Sequence, residues 1–206
     1  MNTVWDNVEK FEELIADYAG SKYAVAVDSC TNALFLSFKY CTKIGYNNEY
    51  VEIPKHTYIS VPMQAIHAGY KVKFIDKSWS GAYEIGNVPV VDSAQRFCPQ
   101  MYEKDTFYCL SFNYKKILST GKGGMILTDD EYAAEWFKKM RYDGRPTIYY
   151  NDLNKIPVRE IGYHMYMPPE LATIGIQNFY GIKNLRNSDS SCSGDYEVDL
   201  SKLKCW

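Results

Sequence analysis

Short apolar runs recur along this chain with helix-like segments between them. That alternation constrains the fold more than any other feature. The runs are YAVAV (23–27), YVEIP (50–54), YKVKFID (70–76), VPVVDSAQ (88–95, closed by an acid), TFYCLSF (106–112) and GMILTDD (124–130). Before the first run, Val4, Val8, Phe11, Ile15 and Tyr18 recur at helical spacing over residues 4–18, with Thr3 as N-cap and Gly20 as the stop. A second helix opens at DSCTNAL. A third is TYISVPMQAIHAG (57–69), where Pro62 falls near the first turn and is tolerated. EYAAEWFKKMR (131–141) and PPELATIGIQNFYGI (168–182) read as the last two helices. Strands alternating with helices predict an α/β fold on a mostly parallel sheet. The remaining tail is rich in Ser and Asp and reads as a loosely packed polar arm from residue 186 to 206, after a main unit of 1–185.

Composition narrows the function classes. A chain of 206 residues with 46% hydrophobic content is long enough for one real core. A formal net charge of −2 argues against a surface built to coat nucleic acid. The opening MNTVWDNVEKFEEL has no basic n-region or apolar h-region, so it does not read as a signal peptide, and no apolar stretch approaches the ~18 residues of a membrane span. The cysteines Cys30, Cys41, Cys98, Cys109, Cys192 and Cys205 show neither CxxC spacing nor a paired histidine motif. A metal site and a disulfide framework are therefore not expected, and the compartment expected is the reducing cytoplasm.

Ligands of such sheets sit beyond the carboxyl ends of the strands. After the first strand, Ser29, Cys30, Thr31 and Asn32 open a helix. Free N–H groups and short hydroxyls there suit a phosphate, and suit a plain N-cap as well. After the second strand, His56 and Tyr58 either face a ligand or pack on the sheet. After VPVV comes Asp92, then Gln95. A buried acid needs a cationic or hydrogen-bonding partner, such as a protonated heterocycle nitrogen, unless it only caps the next helix. After FYCLSF comes NYKKILSTGKGG. A lysine at a strand end can form a Schiff base once burial lowers its pKa, although most lysines are solvated surface charges. The glycines Gly121, Gly123 and Gly124 indicate a tight turn with close backbone approach. The GKGG string is not a phosphate-binding P-loop, because the upstream glycine and the hydroxyl after the lysine are both missing. Each signal is weak alone. Together, a phosphate cup, an aromatic face, an acid and a lysine are the handles of pyridoxal phosphate.

In these residues the chain resembles the DegT/DnrJ/EryC1/StrS sugar aminotransferases. YAVAVDSCTNAL resembles the family's AVAVxSGTxAL, EIPKHTYIS its VPxxTYxA, VVDSAQ its EDAAQ, and SFNYKKILSTGKGG its SFxxxKxLxTGEGG. MRYDGR resembles LRxHGR, and IGYHMYMPPELATIGIQ resembles the last conserved helix with its lead-in. These blocks run in order over roughly residues 20 to 180.

The resemblance implies the large domain of a fold type I transferase, a three-layer αβα sandwich, in a compact form without the C-terminal small domain. It implies pyridoxal 5′-phosphate as cofactor and Lys116 as the Schiff-base lysine. Asp92 is the implied partner of the pyridinium nitrogen, Tyr58 the stacking aromatic and Gln95 the residue near the ring hydroxyl. Thr31, Asn32 and Ser111 are implied phosphate contacts, and His164 an implied contact across a homodimer interface that contains the site. The activity implied is ping-pong transfer of an amino group from an amino acid, by resemblance glutamate, to a keto-sugar, by resemblance nucleotide-linked. A cofactor-binding or scaffold protein without a competent substrate site is the alternative. Cys30, Lys122, His164 and Tyr166 depart from the family's Gly, Glu, Asn and Arg.

Overall fold

The computed structural model describes residues 5–146, 158, 160–182 and 191–206. In chain order the elements are α1 (Asp6–Ala19), β1 (Tyr23–Val27), α2 (Cys30–Lys43), β2 (Tyr50–Pro54), α3 (Ser60–His67), β3 (Lys71–Ile75), β4 (Tyr83–Ile85), β5 (Val90–Ser93), β6 (Phe107–Ser111), β7 (Gly124–Thr128), α4 (Glu131–Met140) and α5 (Pro169–Ile182). Short 3₁₀ turns at Ser193–Asp195 and Leu200–Lys202 follow. Thr3 and Val4, expected to start the first helix, lie outside the described residues, as does the 186 boundary expected for the arm.

β1, β7, β6, β5 and β4 form one sheet in that order, and β2 pairs with β3 in a second. Reciprocal backbone hydrogen bonds between Glu52 and Gly86 bridge the two. The expectation of a mostly parallel sheet needs correction at the level of pairs. β5–β6 and β2–β3 are parallel, whereas β1–β7, β6–β7 and β4–β5 are antiparallel. The cause is connection length. Neither the excursion from β6 to β7 nor the short link from β4 to β5 carries the crossover helix that a parallel return needs. Followed through the bridge, β1, β2, β3, β5 and β6 still share one direction, with β4 and β7 running against it. The carboxyl ends of those five strands therefore meet at one edge.

Alternate strand residues face opposite layers, as the two-residue period of a strand requires. Val25, Val27, Val90, Cys109 and Ile126 pack with α2, α3 and α4. Ala24, Ala26, Val91, Tyr108, Leu110 and Met125 pack with α1 and α5. This is a three-layer α/β/α sandwich, and burial on both faces explains why the central runs are continuously apolar. The described part of the tail, residues 191–206, makes contacts with the rest of the chain. Leu200 is buried, Cys192 bridges Ser80, and the Trp206 ring packs on Phe74. No described helix is long and apolar enough to cross a membrane.

Candidate active site

A cavity of about 520 Å³ opens at the shared carboxyl edge of the strands. Its floor begins at the start of α2. Ser29 caps that helix, its hydroxyl accepting from Asn32 N at 3.2 Å. The helix start presses directly on β7. A Cβ on Gly124 would lie 2.3 Å from the Ser29 carbonyl carbon, so only glycine allows this approach. Thr31 faces the cavity, and its hydroxyl lies 2.9 Å from that of Ser60 at the start of α3. Two hydroxyls beside a helix N-terminus are suited to an anion. The Asn32 side chain is turned aside, donating to Asp28 Oδ1 at 2.7 Å, and does not line the cavity.

Asp92 sits on β5, buried at 5% exposure. Its Oδ2 accepts from the Tyr83 hydroxyl at 2.7 Å and its Oδ1 from Ala94 N at 3.0 Å. The Tyr83 hydroxyl also lies 2.5 Å from that of Thr57, which gives a short polar chain behind the carboxylate. Burial raises the Asp92 pKa, while the Tyr83 and Ala94 hydrogen bonds and the charge of Lys116 work the other way. Asp92 forms no ion pair within 4 Å among the described residues.

Lys116 lies on the turn that follows β6. Its Nζ donates to Gln95 Oε1 at 2.7 Å. Burial lowers its pKa and the neighbouring Lys115 charge adds to that, while Cys30 and Asp92 oppose it. Burial also holds the Cys30 thiol far above its usual range, so near neutral pH the opposing negative charge is that of Asp92. A half-buried lysine with a lowered pKa has a larger share of nucleophilic amine than a surface one.

The other lysines of the stretch have different settings. Lys115 is exposed over the Tyr114 ring. Lys122 lies 3.8 Å from Asp28, beside the α2 start, which gives this departure from the family glutamate a structural partner.

Tyr58, Gln95 and Ser111 also line the cavity, with Tyr58 58% exposed. The structure thus brings Thr31, Tyr58, Asp92, Gln95, Ser111 and Lys116 together. His164 is elsewhere, 3.1 Å from Asp143 Oδ1 and stacked near Tyr142. His56 holds the wall from behind, its Nδ1 2.8 Å from the Tyr196 carbonyl oxygen.

Several lining residues carried no sequence signal. Tyr83 lies on a three-residue strand too short to show a period, and Tyr196 lies in a tail that reads as solvated. Ser60 lies two residues past Tyr58, and only its spatial approach to Thr31 reveals it.

This fold is shared with solved structures, among them that of a sugar aminotransferase. CalS13 from Micromonospora echinospora aligns over 84% of this chain and 60% of its own, with a TM-score of 0.70 at 17% identity. AtS13 from Actinomadura melliaura aligns with a TM-score of 0.72 at 16% identity, over 85% of this chain and 60% of its own.

The sequence model of the DegT/DnrJ/EryC1/StrS aminotransferase family matches residues 2–81 and 99–205, and the chain belongs to that family. Among curated relatives, the spore coat polysaccharide biosynthesis protein SpsC of Bacillus subtilis is 25% identical, over 95% of this chain. The UDP-4-amino-4,6-dideoxy-N-acetyl-beta-L-altrosamine transaminase of Campylobacter jejuni is 23% identical over the same share. The match spans 62% of the length of each of these two relatives.

Proposed function

We propose that this chain holds pyridoxal 5′-phosphate on Lys116 and moves an amino group from an amino acid, glutamate, to a nucleotide-linked keto-sugar. One observation carries the reading. Lys116, an amine whose pKa burial lowers, shares a cavity with Asp92, a buried carboxylate that lacks an ion-pair partner among the described residues. The donor set fits the group. Lys116 would hold the aldehyde carbon, Asp92 would face the ring nitrogen, Tyr58 would cover the ring, and Gln95 would face its hydroxyl. Thr31, Ser111 and the start of α2 would receive the phosphate, with Ser60 added by its contact with Thr31.

When bound, the cofactor supplies a ring that accepts the electron pair left as a proton departs from the donor's α-carbon. Lys116 Nζ is the base positioned to take that proton and return it. Asp92 favours a proton on the ring nitrogen by placing a negative charge beside it. Donor and acceptor would use the same cavity in turn. Support for a sugar acceptor comes from the relatives, one of which is named a transaminase of a UDP-linked amino sugar.

The test is spectroscopic. Purified protein given pyridoxal phosphate should develop a visible absorbance that Lys116→Ala abolishes. Glutamate should bleach it, and a member of a keto-sugar panel should restore it. Absorbance without bleaching would identify a cofactor-binding protein lacking a competent substrate site. No absorbance, or absorbance unchanged by Lys116→Ala, overturns the proposal.

A further inference from the structure

Gln95 is an amide, and only one of its ends suits Lys116. Its Oε1 accepts from Lys116 Nζ at 2.7 Å, and its Nε2 donates to the Tyr196 hydroxyl at 2.8 Å. An ammonium has donors only, so the amide turned the other way would set N–H groups against N–H groups. The lysine thus sets which end of the amide faces it, and the Tyr196 hydroxyl, able to accept or to donate, accepts from Nε2 here and tethers the amide in that orientation.

Tyr196 is itself firmly placed. Its ring packs on Trp79 at 5.5 Å, and its carbonyl oxygen meets His56 Nδ1 at 2.8 Å. Upstream, Ser193 N donates to the Trp79 carbonyl at 3.0 Å. Downstream, Leu200 is buried and its N–H donates to the Lys55 carbonyl at 2.9 Å. The segment is fastened on both sides of the tyrosine, and Asp195 and Tyr196 together form one wall of the cavity.

We propose that Tyr196, delivered by the C-terminal segment 191–206, is a positioning residue for Lys116, its hydroxyl fixing the Gln95 amide with Oε1 toward the lysine nitrogen. The inference rests on the function proposed above and adds a part of the chain that the family motifs do not include. Its chemical consequence has a sign. An oxygen accepting from the ammonium stabilises the charged form. Loosening that oxygen lowers the pH at which the Lys116 amine becomes available. The charged or titratable groups that act on Lys116 or share its cavity are Asp92 from β5, Cys30 from α2, the adjacent Lys115, Lys122 and Asp195 further along the wall, and the phenols of Tyr58, Tyr83 and Tyr114. All of them persist when Tyr196 loses only its hydroxyl.

The experiment follows the rate at which cofactor-free protein captures pyridoxal phosphate across pH, read as visible absorbance. Ionisations of the free cofactor are common to every protein compared. Tyr196→Phe, which keeps the ring on Trp79, should lower the midpoint by about one pH unit. Gln95→Glu presents an oxygen to Lys116 whichever way it turns and should raise the midpoint. Adding Tyr196→Phe to it should then move nothing further. An unmoved midpoint in Tyr196→Phe overturns the inference, as does an equal shift in the Gln95→Glu background. Gln95→Glu alone tests the lysine contact with Tyr196 intact, and an unmoved midpoint there also overturns it. Failure of the wild type to capture cofactor overturns the proposed function and this inference together. Capture that Lys116→Ala abolishes, with an unmoved Tyr196→Phe midpoint, overturns this inference alone.

Discussion

Under the proposed function, the buried charge of Asp92 that serves the cofactor also costs stability. Burial raises its pKa above that of the unfolded chain. Between those two values the folded protein binds more protons than the unfolded one, so stability falls as pH rises through the window. Asp92→Asn keeps the shape and the bond from Ala94 N, reverses the bond with the Tyr83 hydroxyl, which can accept from the new amide, and removes the charge. The cofactor-free variant should therefore lose this decline, and its melting temperature should rise relative to wild type as pH increases. Its turnover should fall about 10²–10³-fold, the usual cost of removing one preorganised electrostatic group. Parallel melting curves and single-turnover measurements with glutamate check both halves, and equal pH dependence in the two proteins would contradict the first. The three lysines nearby mark how far residue type alone can be read. Sequence places Lys115, Lys116 and Lys122 within one short stretch. Spacing by itself leaves them equivalent, and the family motif is what selects Lys116. The half-burial of Lys116 and its contact with Gln95 are products of tertiary structure. So is the Asp28 contact of Lys122, since nothing local predicts it.

Elements were legible where their period was long enough to register. The runs that became β1, β2, β3, β6 and β7, and the helical spacing of α1, α4 and α5, follow from side-chain alternation and amphipathicity. β4 was missed because three residues carry no period. A mostly parallel sheet is what the alternation implies, and it does not specify the antiparallel β1–β7, β6–β7 and β4–β5 pairs, because strand direction depends on connections rather than on the strands. The absence of a helical pattern between Ser111 and Gly124 was readable evidence for an antiparallel return. Also invisible was the buried pair that fastens elements together behind the site. Arg141, just past α4, donates to Glu12 of α1 and to the Ala26 carbonyl of β1 at 2.6 Å. Glu12 in turn accepts from Ala26 N at 2.8 Å. Arg141 and Glu12 are 4% and 3% exposed. Removing Arg141 leaves the buried Glu12 with only the partly exposed Lys138 Nζ at 3.7 Å as a cationic partner, so Arg141→Met should cost about 3 kcal/mol in denaturant unfolding. Pairing it with Glu12→Leu should recover much of that loss, because well-packed apolar residues replace a buried ion pair at little net cost. A single-variant loss below about 1 kcal/mol would place the pair among surface-like bridges instead.

At the scale of the whole molecule, one edge of the sandwich collects the site, and two large aromatic rings meet solvent at that edge. Tyr58 and Tyr114 line the cavity with 58% and 68% of their surfaces exposed. Large aromatic rings at a cavity mouth are better accommodated when another surface covers them. His164 fits the same account. Its side chain is 67% exposed, pairs with Asp143 and lies outside the cavity of its own chain, so contact with a phosphate requires a second chain. We therefore predict that the active form is a homodimer with the cavities facing the interface. Sedimentation velocity of the cofactor-loaded protein should give a species of twice the 23.8 kDa chain mass. Specific activity should fall on dilution into the range where that species dissociates, because each site would lose the cover supplied by its partner. His164→Ala should weaken cofactor retention without altering the absorbance maximum, since it would act on the phosphate and not on the ring. A fully active 23.8 kDa species would contradict the prediction. It would also mean that the wall built from the C-terminal segment closes the site within a single chain.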